Sequence, residues 1–491
     1  MSDEGLHEAP AAEVLVEGVP AAMSLAPGAG ALALGAELVL DDEGHTGVES
    51  MRAGLLQAGP LAAAGVLANG ANVIVTVGLA RLLTPHGYGT LNQLTGLFLI
   101  LSMPGSAVLV AVVRRITMWH EDGAVHLVRR WAGRIHRQGS MAVVIWGVVV
   151  FLSRHWLAVL LNQRSGIGIA AILTAAAFFV LLSLDRGMLQ ARRAYRPLAA
   201  NLLVEGGVRT VAVLALVSAG RGSSGAAVGI LIAEMVTAGH ARYAAVRAWS
   251  DEGTTAHRRM GTVVGGWVGA LRADAVLGSQ GRERHKVALD LILASVALSM
   301  VAVLQNVDVL VVGRDNGTHS GAYAAVSVTS KAIVFGAIVL GGYLLPEAAI
   351  RWRQGGHALR QLAVVLVLLA VPASILMVVA LSTPRLLLQV VFHHSYVTAS
   401  SALAPLVAAM IVLSITVVLT MYLLAVGRRW VSGVLVVGAI ALTIAVSLVH
   451  GAPRATALVD LAVQAGVMVV IVSGFTVIHR VRLRMHRSQL S

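Results

Sequence analysis

The chain of 491 residues is 57% hydrophobic and only 12% charged, and it has no cysteine. That balance excludes an ordinary soluble domain and any disulfide, iron–sulfur cluster or Cys-based zinc site. The net charge of +13 hides a split, because residues 1–50 hold ten acidic residues and no Lys or Arg, leaving +23 on the remainder. In so apolar a chain the basic excess belongs to cytoplasmic loops, and no nucleic-acid partner is expected.

In chain order, residues 1–55 read as a disordered, acidic cytoplasmic tail. The tail lacks the basic n-region of a signal peptide. Met51 followed by Arg52 is a candidate alternative start. Twelve runs of about 20 apolar residues follow, the length that a bilayer demands. The first six lie near 60–80, 90–112, 139–160, 167–184, 198–219 and 225–246, with Arg154 and His155 interrupting the third. The second six lie near 287–312, 321–345, 361–382, 399–426, 430–450 and 455–478. The expected fold is therefore an all-α polytopic membrane protein of about twelve transmembrane helices in two six-helix lobes. Its parts are an N-terminal lobe (56–246), a cytoplasmic linker (247–286), a C-terminal lobe (287–479) and a basic cytoplasmic tail (480–491). Two equal halves are the plan of a secondary transporter, with a central cavity between them.

Charge fixes the orientation. The tails and the even-numbered connections, with the span ends beside them, carry 28 Lys and Arg; the odd-numbered ones carry 7. By the positive-inside rule both termini are cytoplasmic and the protein sits in the cell membrane. Every outward loop is short, which argues against an extracytoplasmic active site. The chain has no G-x-x-x-x-G-K-[ST], no H-E-x-x-H and no Asp-x-Asp, so no enzymatic activity and no bound metal or organic cofactor are expected. The adjacent His393 and His394 read as solvated loop residues.

Several spans carry polar residues at helical spacing. Asn69, Asn72 and Thr76 share a face of span one, and Asn201, Glu205 and Arg209 share a face of span five. Glu234 and Thr237 lie in span six; Gln305, Asn306 and Asp308 in span seven; Tyr323, Ser327, Ser330 and Lys331 in span eight; Asp460 and Gln464 in span twelve. A single Asn or Ser of this kind often does no more than bond a neighbouring helix, and Glu205 with Arg209 also suits a plain i,i+4 ion pair. A charge at mid-membrane costs about 2.5–3.5 kcal/mol on insertion scales. Five such charges need partners or a watery cavity. Asp308 and Lys331 stand in consecutive spans, with Asp308 nearer the outer end.

Three stretches resemble a known family. "ARLLTPHGYG" (Ala80–Gly89) is similar to the first loop of the oligosaccharide (polysaccharide) flippases of the multidrug/oligosaccharidyl-lipid/polysaccharide exporter superfamily. "RGMLQARRAYRPLAANLLVEGGVR" (Arg186–Arg209) resembles their connection between helices four and five, and Gln305–Ala349 resembles their helices seven and eight. The resemblance runs over roughly 60–480. It departs at His86–Gly87, where the family often has two acidic residues, and in the acidic tail and long linker. It implies two lobes in a V, helices one and seven facing each other, and a basic cavity that receives the diphosphate of a lipid-linked oligosaccharide by alternating access.

The residues expected to line that cavity are Arg209, Lys331 and Arg81, with Glu205 orienting Arg209 and Asp308 tuning Lys331 or binding a cation. Asn72, Asn69, Gln305 and Asn306 complete the set. The resemblance implies a candidate coupling cation, H+ or Na+. The expected partners are a lipid-linked oligosaccharide, membrane lipids, and a polysaccharide polymerase or glycosyltransferase. Two alternatives stand beside this reading: a cation-coupled drug antiporter of the same superfamily, and a membrane scaffold without transport activity.

Overall fold

Apolar runs of this length become helices because a bilayer offers no other partner for backbone N–H and C=O groups. The computed structural model describes residues 63–488, except 66, 69–70, 73, 122–125, 260–280, 354–358 and 426–427. The acidic tail, the start at Met51, Asn69 and the centre of the 247–286 linker lie outside the described residues. After helical residues 74–82 come α1 (Pro85–Glu121), α2 (His126–Leu152), α3 (Arg154–Leu160), α4 (Gly166–Ala191), α5 (Tyr195–Leu216) and α6 (Gly222–Arg259). The second half contains α7 (Gly281–Asp315), α8 (Ser320–Arg353), α9 (Leu359–Ser382), α10 (Pro384–Val391), α11 (Leu403–Ala425), α12 (Trp430–Ser447) and α13 (Pro453–Ser488).

Among the described residues, ten stretches are long and apolar enough to cross a membrane. One of them, Tyr195–Trp249, has 55 residues. At 1.5 Å per residue a single helix of that length would measure about 80 Å, far beyond a bilayer. It is instead the hairpin of spans five and six. A π-helical turn at Val217–Arg221 joins α5 to α6, with Gly220 at φ 77° and Gly222 at φ 58°. Both angles lie in the left-handed region that glycine reaches without steric cost.

Two boundaries carry information. The third span breaks at Ser153, and α3 starts at Arg154, whose guanidinium stacks 4.1 Å from the Phe151 ring centre. Hydropathy ends span four at residue 184 and leaves Asp185 and Arg186 in a loop. α4 instead continues to Ala191 and buries both. An apolar window stops at the first charges, whereas the helix continues because neighbouring helices supply counter-charges.

α1, α4, α5 and α6 pack together as one lobe, and α7, α8, α11, α12 and α13 as the other. The lobes meet where α1 lies against α7 and α8. Backbones approach closely there, as small residues allow. A Cβ on Gly321 would fall 1.9 Å from the Pro85 carbonyl oxygen, and one on Gly89 would fall 2.4 Å from Ser320 Oγ. Polar groups fasten the same end. Asn162 Nδ2 donates to the Arg314 carbonyl at 2.8 Å, Gln93 Nε2 to that of Leu310 at 3.0 Å, and Tyr396 to that of Ala80 at 2.8 Å. His86 Nδ1 lies 3.1 Å from the Gly317 carbonyl. The rings of Tyr88, Phe392 and Tyr396 sit 5.6–6.0 Å apart beside these contacts. The lobes are thus joined at the end bearing the short loops. Away from the seam, α2 and α9 expose Val144, Ile145, Val148, Val364, Val367 and Val371, the apolar faces that suit lipid.

Candidate functional site

Below the seam a cavity lies between the lobes. Asn72 and Thr76 line it from the first helix, Asn92 and Thr95 from α1, and Arg209 from α5. Asn306 of α7 and Lys331 of α8 line it from the second lobe. Each described lobe face therefore presents one cation to a shared space, and among the described residues no carboxylate lines it. The cavity has about 70 Å³ of room for water-sized groups. That admits a few waters and excludes a sugar.

The carboxylates stand behind the wall. In the first lobe the stripe Asn201–Glu205–Arg209 faces inward between α4 and α6, and all three residues are buried. One terminal nitrogen of Arg209 lies 2.5 Å from Glu205 Oε1 and 2.6 Å from Glu234 Oε1. The other oxygen of Glu205 accepts from Arg186 at 2.5 Å, and Arg186 Nε donates to Asn201 Oδ1 at 2.7 Å. Asn201 in turn donates to the Thr237 carbonyl at 3.0 Å. Two guanidiniums and two carboxylates alternate in a chain with no net charge. Such a chain is tolerated at 0–5% exposure because each ion carries a short, charge-assisted partner. Nearer the long-loop end, Asp185 meets His136 at 3.2 Å and Arg242 at 3.3 Å.

In the second lobe, Lys331 Nζ donates to Asn306 Oδ1 at 3.2 Å and lies 3.8 Å from Asp308 Oδ1. Tyr323 donates to the other Asp308 oxygen at 2.9 Å. Asp460 is fully buried and accepts from Gln464 Nε2 at 3.3 Å; that nitrogen also reaches the Leu304 carbonyl at 3.0 Å. The side chain of Gln305 is buried outside the cavity lining.

The expected site residues thus fall into four groups. Arg209, Lys331, Asn72 and Asn306 line one cavity. Glu205, Asp308 and Gln305 are buried outside its lining, the first two as counter-ions to the cavity cations. Asn69 lies outside the described residues. Arg81 is exposed at the end of the first helix. It borders a separate recess with Gln389, Phe392, His393 and Ser395, because the first helix ends near this position and carries its side chain past the seam.

Sequence reasoning placed Arg186 in a loop and passed over Asn92 and Thr95. The signal for Arg186 was its position two turns before the break at Arg192–Arg193, which left room for another helical turn. Asn92 and Thr95 share a face at i, i+3, the spacing already noted in span one.

The chain matches no family model and no curated protein. Its fold is similar to that of solved transporters. The lipid II flippase MurJ, in an inward closed conformation, aligns with a TM-score of 0.58 and 10% identity over 84% of this chain and 87% of that one. An inward-facing multidrug resistance MATE family transporter of the MOP superfamily aligns with a TM-score of 0.50 and 13% identity over 83% of this chain and 99% of that one. At such identities the likeness is one of fold.

Proposed function

We propose that the chain is an alternating-access exporter that carries a polyprenyl-diphosphate-linked oligosaccharide across the cell membrane for surface polysaccharide assembly. The observation that carries this reading is the pair of cations, Arg209 from one lobe and Lys331 from the other, lining a single cavity whose described lining holds no carboxylate. A diphosphate diester bears two negative charges, and charge-assisted bonds to two cations match it. Glu205, Glu234 and Asp308 hold those cations in place from behind. The binding groups are thus ordered before the substrate arrives. The lipid tail remains in the bilayer while the head group crosses, and the lobes part to admit it, since the cavity holds only a few waters. A candidate coupling cation and a polymerase or glycosyltransferase partner belong to the same reading.

A second reading, a cation-coupled drug antiporter, draws on one observation. Behind Lys331 stand two carboxylates, Asp308 and Asp460, both fully buried. One experiment separates the two. Lipid-linked sugars are extracted from a deletion strain, and a membrane-impermeant probe applied to intact and lysed cells reports the leaflet that holds them. Accumulation confined to the inner leaflet, with surface polysaccharide lost, supports the flippase. Unchanged lipid-linked sugars with impaired efflux of organic cations support the antiporter.

A further inference from the structure

The two carboxylates that share Arg209 are not equivalent. Glu205 has a second cation, because Arg186 meets its other oxygen at 2.5 Å. Glu234 meets Arg209 at 2.6 Å, and its second oxygen, Oε2, is buried with no hydrogen-bond partner among the described residues. The charged groups facing Glu234 are Arg209 and Glu205 from α5 and, further back, Arg186 from α4. Arg186 is already engaged by Glu205 and Asn201. Thr237 follows on its own helix, and His240 beyond it contacts Asn201 at 3.1 Å. α1 contributes no titratable side chain between Tyr88 and Arg114.

This resting network is neutral. A diphosphate entering the cavity competes for the Arg209 guanidinium and adds negative charge beside it. Glu205 keeps Arg186. Among the described residues Glu234 has no second cation within ion-pair distance, and a buried carboxylate stripped of its partner is strongly disfavoured. Protonation relieves it. Ile230, one turn before Glu234 on α6, lines the cavity beside Arg209, so water that reaches the cavity comes within a helical turn of the carboxyl.

We infer that Glu234 takes up one proton when an anionic diphosphate engages Arg209, which links anion binding to proton uptake at this residue. The inference rests on the anion-binding reading of the cavity. The proton is delivered by cavity water and ultimately by the buffer; it adds to one oxygen of Glu234, and no other covalent bond changes. The sign follows from linkage: a complex that binds one more proton than its free components weakens as pH rises, by about tenfold per pH unit while Glu234 is ionised in the free protein.

The test is titration calorimetry on the purified full-length chain in detergent, with a farnesyl-diphosphate-linked sugar as the probe. Both phosphates of that probe are esterified, so its own charge does not change near neutrality. Titrations in two buffers of different ionisation enthalpy give the number of protons exchanged. The expected result is about one proton taken up by the native chain and none by Glu234→Gln, whose affinity is flat with pH. Binding without proton uptake in the native chain, or uptake that persists in Glu234→Gln, overturns the inference and leaves the anion site standing. Failure of the native chain to bind the probe overturns the anion site, and with it the inference. Should Glu234→Gln not fold, the native chain alone decides: affinity independent of pH overturns the proposal, and a fall of about tenfold per unit supports it.

Discussion

Arg186 and Glu205 show at the scale of single residues why hydropathy and structure part company. The sequence makes the i,i+4 pair of Glu205 and Arg209 legible, because helical spacing alone sets it. The links to Arg186 and Glu234 depend on how α4, α5 and α6 pack, and no spacing along one helix reveals them. Removing one member of a buried pair leaves an uncompensated charge, which costs about 3–5 kcal/mol, whereas removing both members is often close to neutral. Arg186→Met should therefore lower the melting temperature of the purified protein sharply, and adding Glu205→Gln should recover much of the loss. Equal destabilisation by the single and double variants would show that the guanidinium contributes packing and not charge balance.

The hairpin of α5 and α6 and the seam between α1 and α8 set the geometry at the scale of elements. The apolar spans described here were largely legible, since apolar length reflects the bilayer directly. The seam was not, because close backbone approach depends on which glycines face a partner. Gly321 is the sharpest case: a methyl group there would sit 1.9 Å from the Pro85 carbonyl oxygen. Gly321→Ala should hold the lobes apart at the short-loop end. The chain has no cysteine, so Thr76→Cys in the cavity supplies a single reporter. Labelling of Thr76→Cys by an impermeant maleimide from the short-loop side should rise several-fold when Gly321→Ala is added. Unchanged labelling would mean that this seam does not gate access. At the turn between α5 and α6, Gly220→Ala places a side chain at φ 77°. The expected penalty is about 1–2 kcal/mol, read as a lower melting temperature; an unchanged melting temperature would show that the turn relaxes.

For the whole molecule, the cavity unites residues from both halves of the chain. Asn72 and Arg209 come from the first lobe, and Asn306 and Lys331 from the second. Joined at the short-loop end, the lobes enclose too little room for a sugar, so the proposed transport requires them to separate. The binding cations would then move apart with their own lobes and release a ligand that needs both. The most direct measurement of this reading uses proteoliposomes with a fluorescent short-chain polyprenyl-diphosphate sugar in one leaflet, and follows its appearance in the other. The native chain should move it, and Arg209→Ala and Lys331→Ala should each abolish movement when compared at equal amounts of inserted, folded protein. Native rates in both single variants and in the double variant would contradict the assignment of this cavity as the path of an anionic head group.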